Sequence, residues 1–331
     1  MKILICHRDS GSQKLVARLA SALPEFELLE SLPDAPITQL DGISALIAVG
    51  KVDRSAMERG RFGFIQTIGT GYEHVDLAAA TELGILVANM PASQTGNAES
   101  VAEHAILLML ALSRQLTRAQ QNFRERRWAQ PLGHALLGKT ALLIGLGDVG
   151  QALATRLLAF GMNVIATRQD AAKPGPARVQ ILPAHALPDA LPQADYLILC
   201  ARPNAQNHNL IDAQTLQHTK RGAILINIAR AELLDHDALY HALLSGHLRG
   251  ACLDVFPDEP ADPTHPLYSL ENVIATPHIA GVTDVNMART LQLTAENLRR
   301  FARSERPHFL LNSPLKPRGI PTVLSVDPLN C

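Results

Sequence analysis

The sequence predicts an α/β protein built on parallel sheets, and three observations carry that prediction. Short apolar, β-branched runs alternate with longer stretches of helical periodicity along the chain. That pattern is left when helices cover both faces of a sheet. The length, 331 residues, suits about two domains at roughly 150 residues each. A composition 47% hydrophobic and 18% charged can bury a sizeable core and excludes a disordered chain.

In the first half the apolar runs predict strands at Lys2–Cys6, Phe26–Leu29, Ala45–Val49, Phe64–Ile68 and Ile85–Asn89. The second half predicts Thr140–Ile144, Asn163–Thr167, Asp195–Cys200, Ala223–Ile228, Ala251–Val255 and Val273–Ala275. Helical patterns fall between them at Gly150–Phe160 and Asp235–Ser245, and a long C-terminal helix at about Val282–Arg303. Between the two strand sets lies Ala98–Phe123, whose AEHAILLMLALSRQL is apolar on nearly every side. A helix of that kind is buried, at a domain junction, at a subunit interface or in a core. The tail from Asn312 carries Pro314, Pro317, Pro321 and Pro328 and is expected to run over the surface or to be disordered.

Lys plus Arg number 30 and Asp plus Glu 31, a formal net charge of -1. No charge excess draws the chain to nucleic acid or a membrane surface. Cys6, Cys200, Cys252 and Cys331 are far apart and have no zinc spacing, so no metal site is expected. They read as reduced, buried thiols of a cytoplasmic protein. The N-terminal apolar run, Ile3–Cys6, is too short for a signal peptide. The longest, Ala105–Leu112, is eight residues, whereas a membrane span needs about 20.

Strand Thr140–Ile144 runs into Gly145-Leu-Gly147-Asp148-Val149-Gly150 and then a helix. In this strand–turn–helix context the glycine spacing is a specific dinucleotide signal. Gly145 permits the tight turn, Gly147 lets backbone approach a pyrophosphate, and Gly150 lets the helix pack on the strand. The helix N-terminus offers its N–H groups and positive dipole end to phosphates. The next strand ends in Thr167 and Arg168, and Arg168 stands 23 positions after Gly145. An NAD enzyme keeps a carboxylate about there to accept the ribose 2′-OH. An Arg favours a 2′-phosphate instead, which predicts NADP(H) with NAD(H) as the alternative. Asp170, two residues on, is the counter-candidate.

Five further blocks follow one another: IQTIGTGYEHVD at 65–76, VAE at 101–103, INIAR at 226–230, LDVFPDEP at 253–260 and TPHIAG at 276–281. With the phosphate loop they make the chain resemble the D-isomer-specific 2-hydroxyacid dehydrogenases from about residue 40 to residue 312. Within that family it looks most like the NADPH-linked glyoxylate/hydroxypyruvate reductases. The resemblance implies two doubly wound parallel-sheet domains with a cleft between them. Residues 1–97 with 281–312 would form a flavodoxin-like substrate domain, residues 98–280 a Rossmann dinucleotide-binding domain, and 313–331 a tail. Hinges would lie near Pro91–Gly96 and Ile279–Val282. A homodimer is also implied, in which Trp128 either packs its own loop or reaches the partner's substrate pocket.

The resemblance assigns roles position by position. Arg230 matches the Arg that holds the substrate carboxylate and keto oxygen, Glu259 the acid that pairs with the catalytic His, and His278 that His. Thr70 and Gly71 match the loop that binds the carboxylate. Asp148 and Val149 match contacts to the pyrophosphate. Ile228 and Ala229 line the nicotinamide side, Asp254 matches the residue near the carboxamide, and Gly281 closes the last cofactor-binding block. Arg202 stands where Pro is usual, in a loop that approaches the adenosine half, and adds positive charge there. Ala231 replaces the usual Gly. His104, on the apolar helix, reads as structural.

Elementary chemistry asks for the same groups. Moving a hydride to a 2-keto acid leaves an alkoxide that needs a proton, and His is the side chain that titrates near neutrality. A nearby carboxylate favours the imidazolium and orients the ring. A planar carboxylate substrate fits an Arg fork. Other readings of the same fold are an NAD-dependent D-2-hydroxyacid dehydrogenase or a phosphite dehydrogenase. Formate dehydrogenases carry Gln at the Glu259 position. A reading from another class is a dinucleotide-sensing co-repressor or scaffold.

Overall fold

The structure, a computed structural model, describes residues 1–7, 13–31, 37 and 40–319. Its elements run β1 (Lys2–Cys6), α1 (Gln13–Ala22), β2 (Glu27–Glu30), β3 (Ile43–Ala48), α2 (Arg54–Arg59), β4 (Phe64–Thr67), α3 (Leu77–Glu82), β5 (Leu86–Ala88) and α4 (Ala92–Thr95). They continue with α5 (Asn97–Ser113), α6 (Leu116–Arg124), β6 (Thr140–Ile144), α7 (Asp148–Ala159), β7 (Asn163–Arg168), β8 (Val179–Pro183) and α8 (Leu187–Ala190). The chain closes with β9 (Tyr196–Leu199), α9 (Ala213–Gln217), β10 (Ile224–Asn227), α10 (His236–Leu244), β11 (Gly250–Leu253), β12 (Val273–Ala275) and α11 (Asp284–Ala302).

Two compact units result, one of residues 1–96 with the described residues from Asp284 onward, the other Asn97–Thr283. The first holds a five-stranded sheet of order β2-β1-β3-β4-β5, and all its pairings are parallel. That is the flavodoxin-like order. Apart from the edge strand β2, its strands are buried on both sides: Ile3, Ile5, Phe64 and Ala88 face one cluster with Leu298 and Phe301 of α11, and Leu4, Leu46, Ile65 and Val87 face another. Residues beyond α11 close on the same unit, where the Arg318 N–H donates to the Gly84 carbonyl and its guanidinium to the Gly60 carbonyl. The rest of the tail, 320–331, lies outside the described residues, as does Cys331.

The second unit holds a seven-stranded parallel sheet of order β12-β11-β10-β9-β6-β7-β8. Strand order reverses at β6, which lies between β9 and β7. Open α/β sheets bind their ligands at such a switch point, beyond the carboxyl ends of the strands. The predicted strands are all present, with ends displaced by up to two residues. β8 was not predicted: its residues are half-exposed, so it carries no continuous apolar run, as befits an edge strand with one neighbour. The segment Ala98–Phe123 divides into α5 and α6, separated by Gln115 with a φ of 49°.

Burial explains the cysteines as well. Cys6 and Cys200 are pushed up to about 12 by desolvation, and Cys252 is raised for the same reason. No helix among the described residues is long and apolar enough to cross a membrane.

Candidate active site

The phosphate turn is shaped by close approach. Gly145 has φ +102°, and a Cβ there would lie 2.6 Å from the Ala201 nitrogen. A Cβ on Gly150 would collide with the Gly145 carbonyl oxygen, so the start of α7 packs directly on the turn. At Gly147 a Cβ would meet nothing within 4 Å. The glycine there leaves open space at the α7 N-terminus, where Asp148 and Val149 form the first turn.

Beside it is a cavity of about 500 Å³ lined by Leu146, Gly147, Gln151, Arg168, Gln169, Asp170, Lys173 and Pro174. Thr167 is buried, and Arg168 turns its guanidinium toward the Pro174 carbonyl at 3.4 Å. The Nε of Arg168 is buried and has no hydrogen-bond partner. Asp170 accepts from the Ala172 N–H at 3.2 Å within its own loop. Open backbone at Gly147, an under-used guanidinium and a second cation, Lys173, fit an adenine dinucleotide. The fit extends to one bearing a phosphate on the ribose. Lys173 and Gln151 were missed from the sequence, where nothing separates them from solvated polar residues. Arg202 lies in the exposed loop after β9, where its carbonyl accepts from Asn207 Nδ2 at 2.8 Å.

The candidate catalytic residues emerge from three neighbouring strands. The parallel register pairs Asn227 with Leu253 and Leu253 with Ala275, so β10, β11 and β12 end level with one another. Arg230, Glu259 and His278 follow those ends. His278 Nδ1 is 2.8 Å from Glu259 Oε2, and Glu259 Oε1 accepts the Phe256 N–H at 3.0 Å. The His278 side chain is 40% exposed and that of Glu259 14%. The carboxylate is therefore fixed at one oxygen and orients the ring with the other, leaving Nε2 as the nitrogen that can serve a ligand. His278 has φ +51°, a left-handed conformation that costs a non-glycine residue on the order of 1–3 kcal/mol and is kept only when the surroundings impose it.

Arg230 is half-buried, with Nη1 donating to the Ala229 carbonyl at 2.7 Å. The turn before it is stapled by fully buried Asn227, whose Nδ2 donates to the Arg230 carbonyl and whose Oδ1 accepts the Ala229 N–H. Sequence reading passed over Asn227, since an Asn at a strand end carries no signal of its own. Ile228 and Ala229 are buried beside it, and Gly281 follows the TPHIA turn. Asp254 is 1% exposed and accepts from Thr276 Oγ1, the Ile279 N–H and the Ala280 N–H. Its carboxylate is thus engaged mainly with its own protein. In the first unit, Thr70 and Gly71 follow β4 after Gly69, whose φ is +106°. The Thr70 carbonyl accepts from Asn89 Nδ2 at 2.8 Å, and its Oγ1 is buried without a partner.

A sheet of this order holds a dinucleotide at its switch point. A His–carboxylate pair at the same edge can exchange a proton with an oxygen whose carbon exchanges a hydride. The class so defined is that of the NAD(P)-dependent dehydrogenases. Comparison narrows it. The model of the D-isomer specific 2-hydroxyacid dehydrogenase NAD binding domain matches residues 106–280. A glyoxylate reductase of Korarchaeum cryptofilum is 35% identical over 252 residues, 73% of this chain and 74% of that one. A D-3-phosphoglycerate dehydrogenase of Mycobacterium leprae is 40% identical over 235 residues, 70% of this chain, but this chain spans only 43% of its length. The crystal structure of the NADPH-dependent glyoxylate/hydroxypyruvate reductase of Sinorhizobium meliloti, in complex with NADP and malonate, is similar with a TM-score of 0.82. It is 30% identical, and the match covers 94% of this chain and 96% of that one. This chain belongs to the D-isomer specific 2-hydroxyacid dehydrogenases.

Proposed function

We propose that the protein reduces a small 2-keto acid, glyoxylate or hydroxypyruvate, to the D-2-hydroxy acid with NADPH. The observation that carries the reading is the 2.8 Å contact of His278 Nδ1 with Glu259 at the carboxyl edge of a dinucleotide fold. When bound, the nicotinamide supplies and takes up the hydride. His278 then donates the proton from Nε2 to the carbonyl oxygen during reduction and removes it during oxidation. Glu259 holds the ring in place through Nδ1. Arg230 grips the carboxylate and polarises the keto oxygen with its fork. Thr70 and Gly71 bind the carboxylate, Thr70 through a loop whose hydroxyl has no other partner.

Gly145, Gly147, Asp148, Val149 and Gly150 would hold the pyrophosphate, and Ile228, Ala229, Asp254 and Gly281 would lie along the nicotinamide half. Thr167 and Arg168 would hold the ribose end, with Arg202 adding charge. The unpartnered Arg168 Nε and the neighbouring Lys173 support NADP(H) over NAD(H). In the same reading, residues 1–97 with 281–312 form the substrate domain and residues 98–280 the dinucleotide-binding domain. We read the protein as cytoplasmic, on the strength of free cysteines at Cys6, Cys200 and Cys252. We also read it as a homodimer. Leu107, Phe123, Trp128, Leu132 and Leu137 are large apolar side chains more than half exposed in the second unit. Such a set needs a partner surface. Trp128 packs edge-on against Phe123 at 5.8 Å.

The test is loss of NADPH absorbance with a panel of 2-keto acids, run in parallel with NADH. Turnover of glyoxylate or hydroxypyruvate with an NADPH preference is expected. No turnover of any 2-keto acid with either cofactor would sink the reading.

A further inference from the structure

Behind the turn that presents His278, two side chains that the proposed chemistry leaves unused, His104 and Thr276, lead to Asp254. His104, on α5, has Nε2 3.0 Å from Thr276 Oγ1. Thr276 Oγ1 in turn is 2.6 Å from Asp254 Oδ1. A hydroxyl has one proton, and at that distance from a buried carboxylate it goes to the carboxylate. Thr276 therefore accepts from His104, and His104 Nε2 carries a hydrogen. The order of donation is His104 to Thr276 to Asp254.

Asp254 uses its remaining capacity on the two amides that follow His278. Oδ1 takes the Ile279 N–H at 2.9 Å and Oδ2 takes the Ala280 N–H at 2.8 Å. On the other side, the His278 N–H donates to the Thr276 carbonyl at 2.9 Å. The two amides after the left-handed residue are thus held by one carboxylate, which Thr276 Oγ1 contacts at 2.6 Å and His104 Nε2 also approaches directly at 3.6 Å. The His104 side chain is 10% exposed and that of Asp254 1%, so water is a poor substitute for a missing partner.

We propose that His104 and Thr276 are positioning residues. Through Asp254 they impose the backbone of residues 276–280 and so hold the His278 ring against Glu259. The proposal rests on the reading of His278 as proton donor, and it also makes a structural claim that stands apart from turnover. Thr276→Val keeps the shape and removes the hydroxyl; Thr276→Ser restores it. His104→Leu removes the donor; His104→Gln sets an amide N–H near the place of Nε2.

Thr276→Val and His104→Leu are expected to lower kcat at least ten-fold while KM for the cofactor changes less than two-fold. Thr276→Ser and His104→Gln are expected to recover most of the rate. Unchanged kcat in His104→Leu overturns the proposal, and this variant serves if Thr276→Val does not fold. Equal losses in kcat and in cofactor binding, or a Ser variant as slow as the Val variant, also overturn it. A crystal structure of Thr276→Val separates the proposal from the functional reading. The His278–Glu259 hydrogen bond should be broken there, and an unmoved turn refutes the positioning role even if the wild type reduces no 2-keto acid.

Discussion

Glu259 Oε2 lies 2.8 Å from His278 Nδ1, while its Oε1 accepts the Phe256 N–H at 3.0 Å. The backbone bond fixes the acid, and the acid fixes the ring. His278→Asn keeps a polar side chain of similar reach but removes the titrating group. Positioned acid–base catalysis contributes roughly 10²–10⁴-fold, so kcat should fall by about that much while cofactor affinity is retained. A variant with wild-type kcat shows that the proton comes from elsewhere.

Reduction consumes a proton held on His278, and oxidation returns one to it. Glu259→Gln keeps the side-chain shape and removes the carboxylate that holds His278 Nδ1 at 2.8 Å. With the ring no longer held, kcat should fall by about ten-fold or more, while KM for the cofactor changes little. A Gln variant with wild-type kcat in steady-state assays would break the proposed pairing.

Arg230→Lys retains the charge and loses the planar fork, which is not conservative at a bidentate site. A raised KM for the 2-keto acid and a lowered kcat are expected, with cofactor affinity little changed. Near-normal kinetics in steady-state assays would count against a forked grip.

Cofactor choice is read from Arg168. A charge-assisted contact to a ribose phosphate is worth about 1.5–3 kcal/mol, or roughly ten- to a hundred-fold in preference. Arg168→Asp should weaken NADPH strongly and leave NADH equal or improved. The wild-type preference should shrink as salt rises, because the site is open to solvent. If kcat/KM for the two cofactors keeps its ratio in the variant, Asp170 or Lys173 reads the ribose instead.

Asp195 joins the start of β6 to β9, accepting from the Thr140 N–H at 2.9 Å and from Lys220 Nζ at 2.8 Å. Burial works against its charge, but those two donors outweigh it and hold the carboxyl below the usual carboxylate range. A depressed native value means stability that is present above the unfolded-state value and is lost as pH falls through the native one. Asp195→Asn should cost about 1 kcal/mol at neutral pH, allowing for the exposed Lys220. In thermal melts the gap from wild type should close in acid. A gap that does not narrow at all as pH falls below the ordinary Asp value would assign the loss to packing.

A family resemblance pointed to Arg230, Glu259 and His278 as candidates; the sequence by itself determined the parallel α/β class and the glycine turn. These are properties of local pattern: apolar runs mark strands buried on both faces, and a turn that backbone must approach closely requires glycine at Gly145 and Gly150. Tertiary structure decided what depends on register and on burial. Asn227, Leu253 and Ala275 stand level across three strands, and that alignment comes from sheet pairing between segments far apart in the chain. The edge strand β8 escaped prediction because one neighbour and a half-exposed face leave no apolar run. His104 looked like an ordinary helix residue until α5 brought it within 3.0 Å of Thr276, 172 positions along the chain. A hydrogen bond between such distant residues leaves no trace in local periodicity, because only the packing of a helix on a sheet edge creates it.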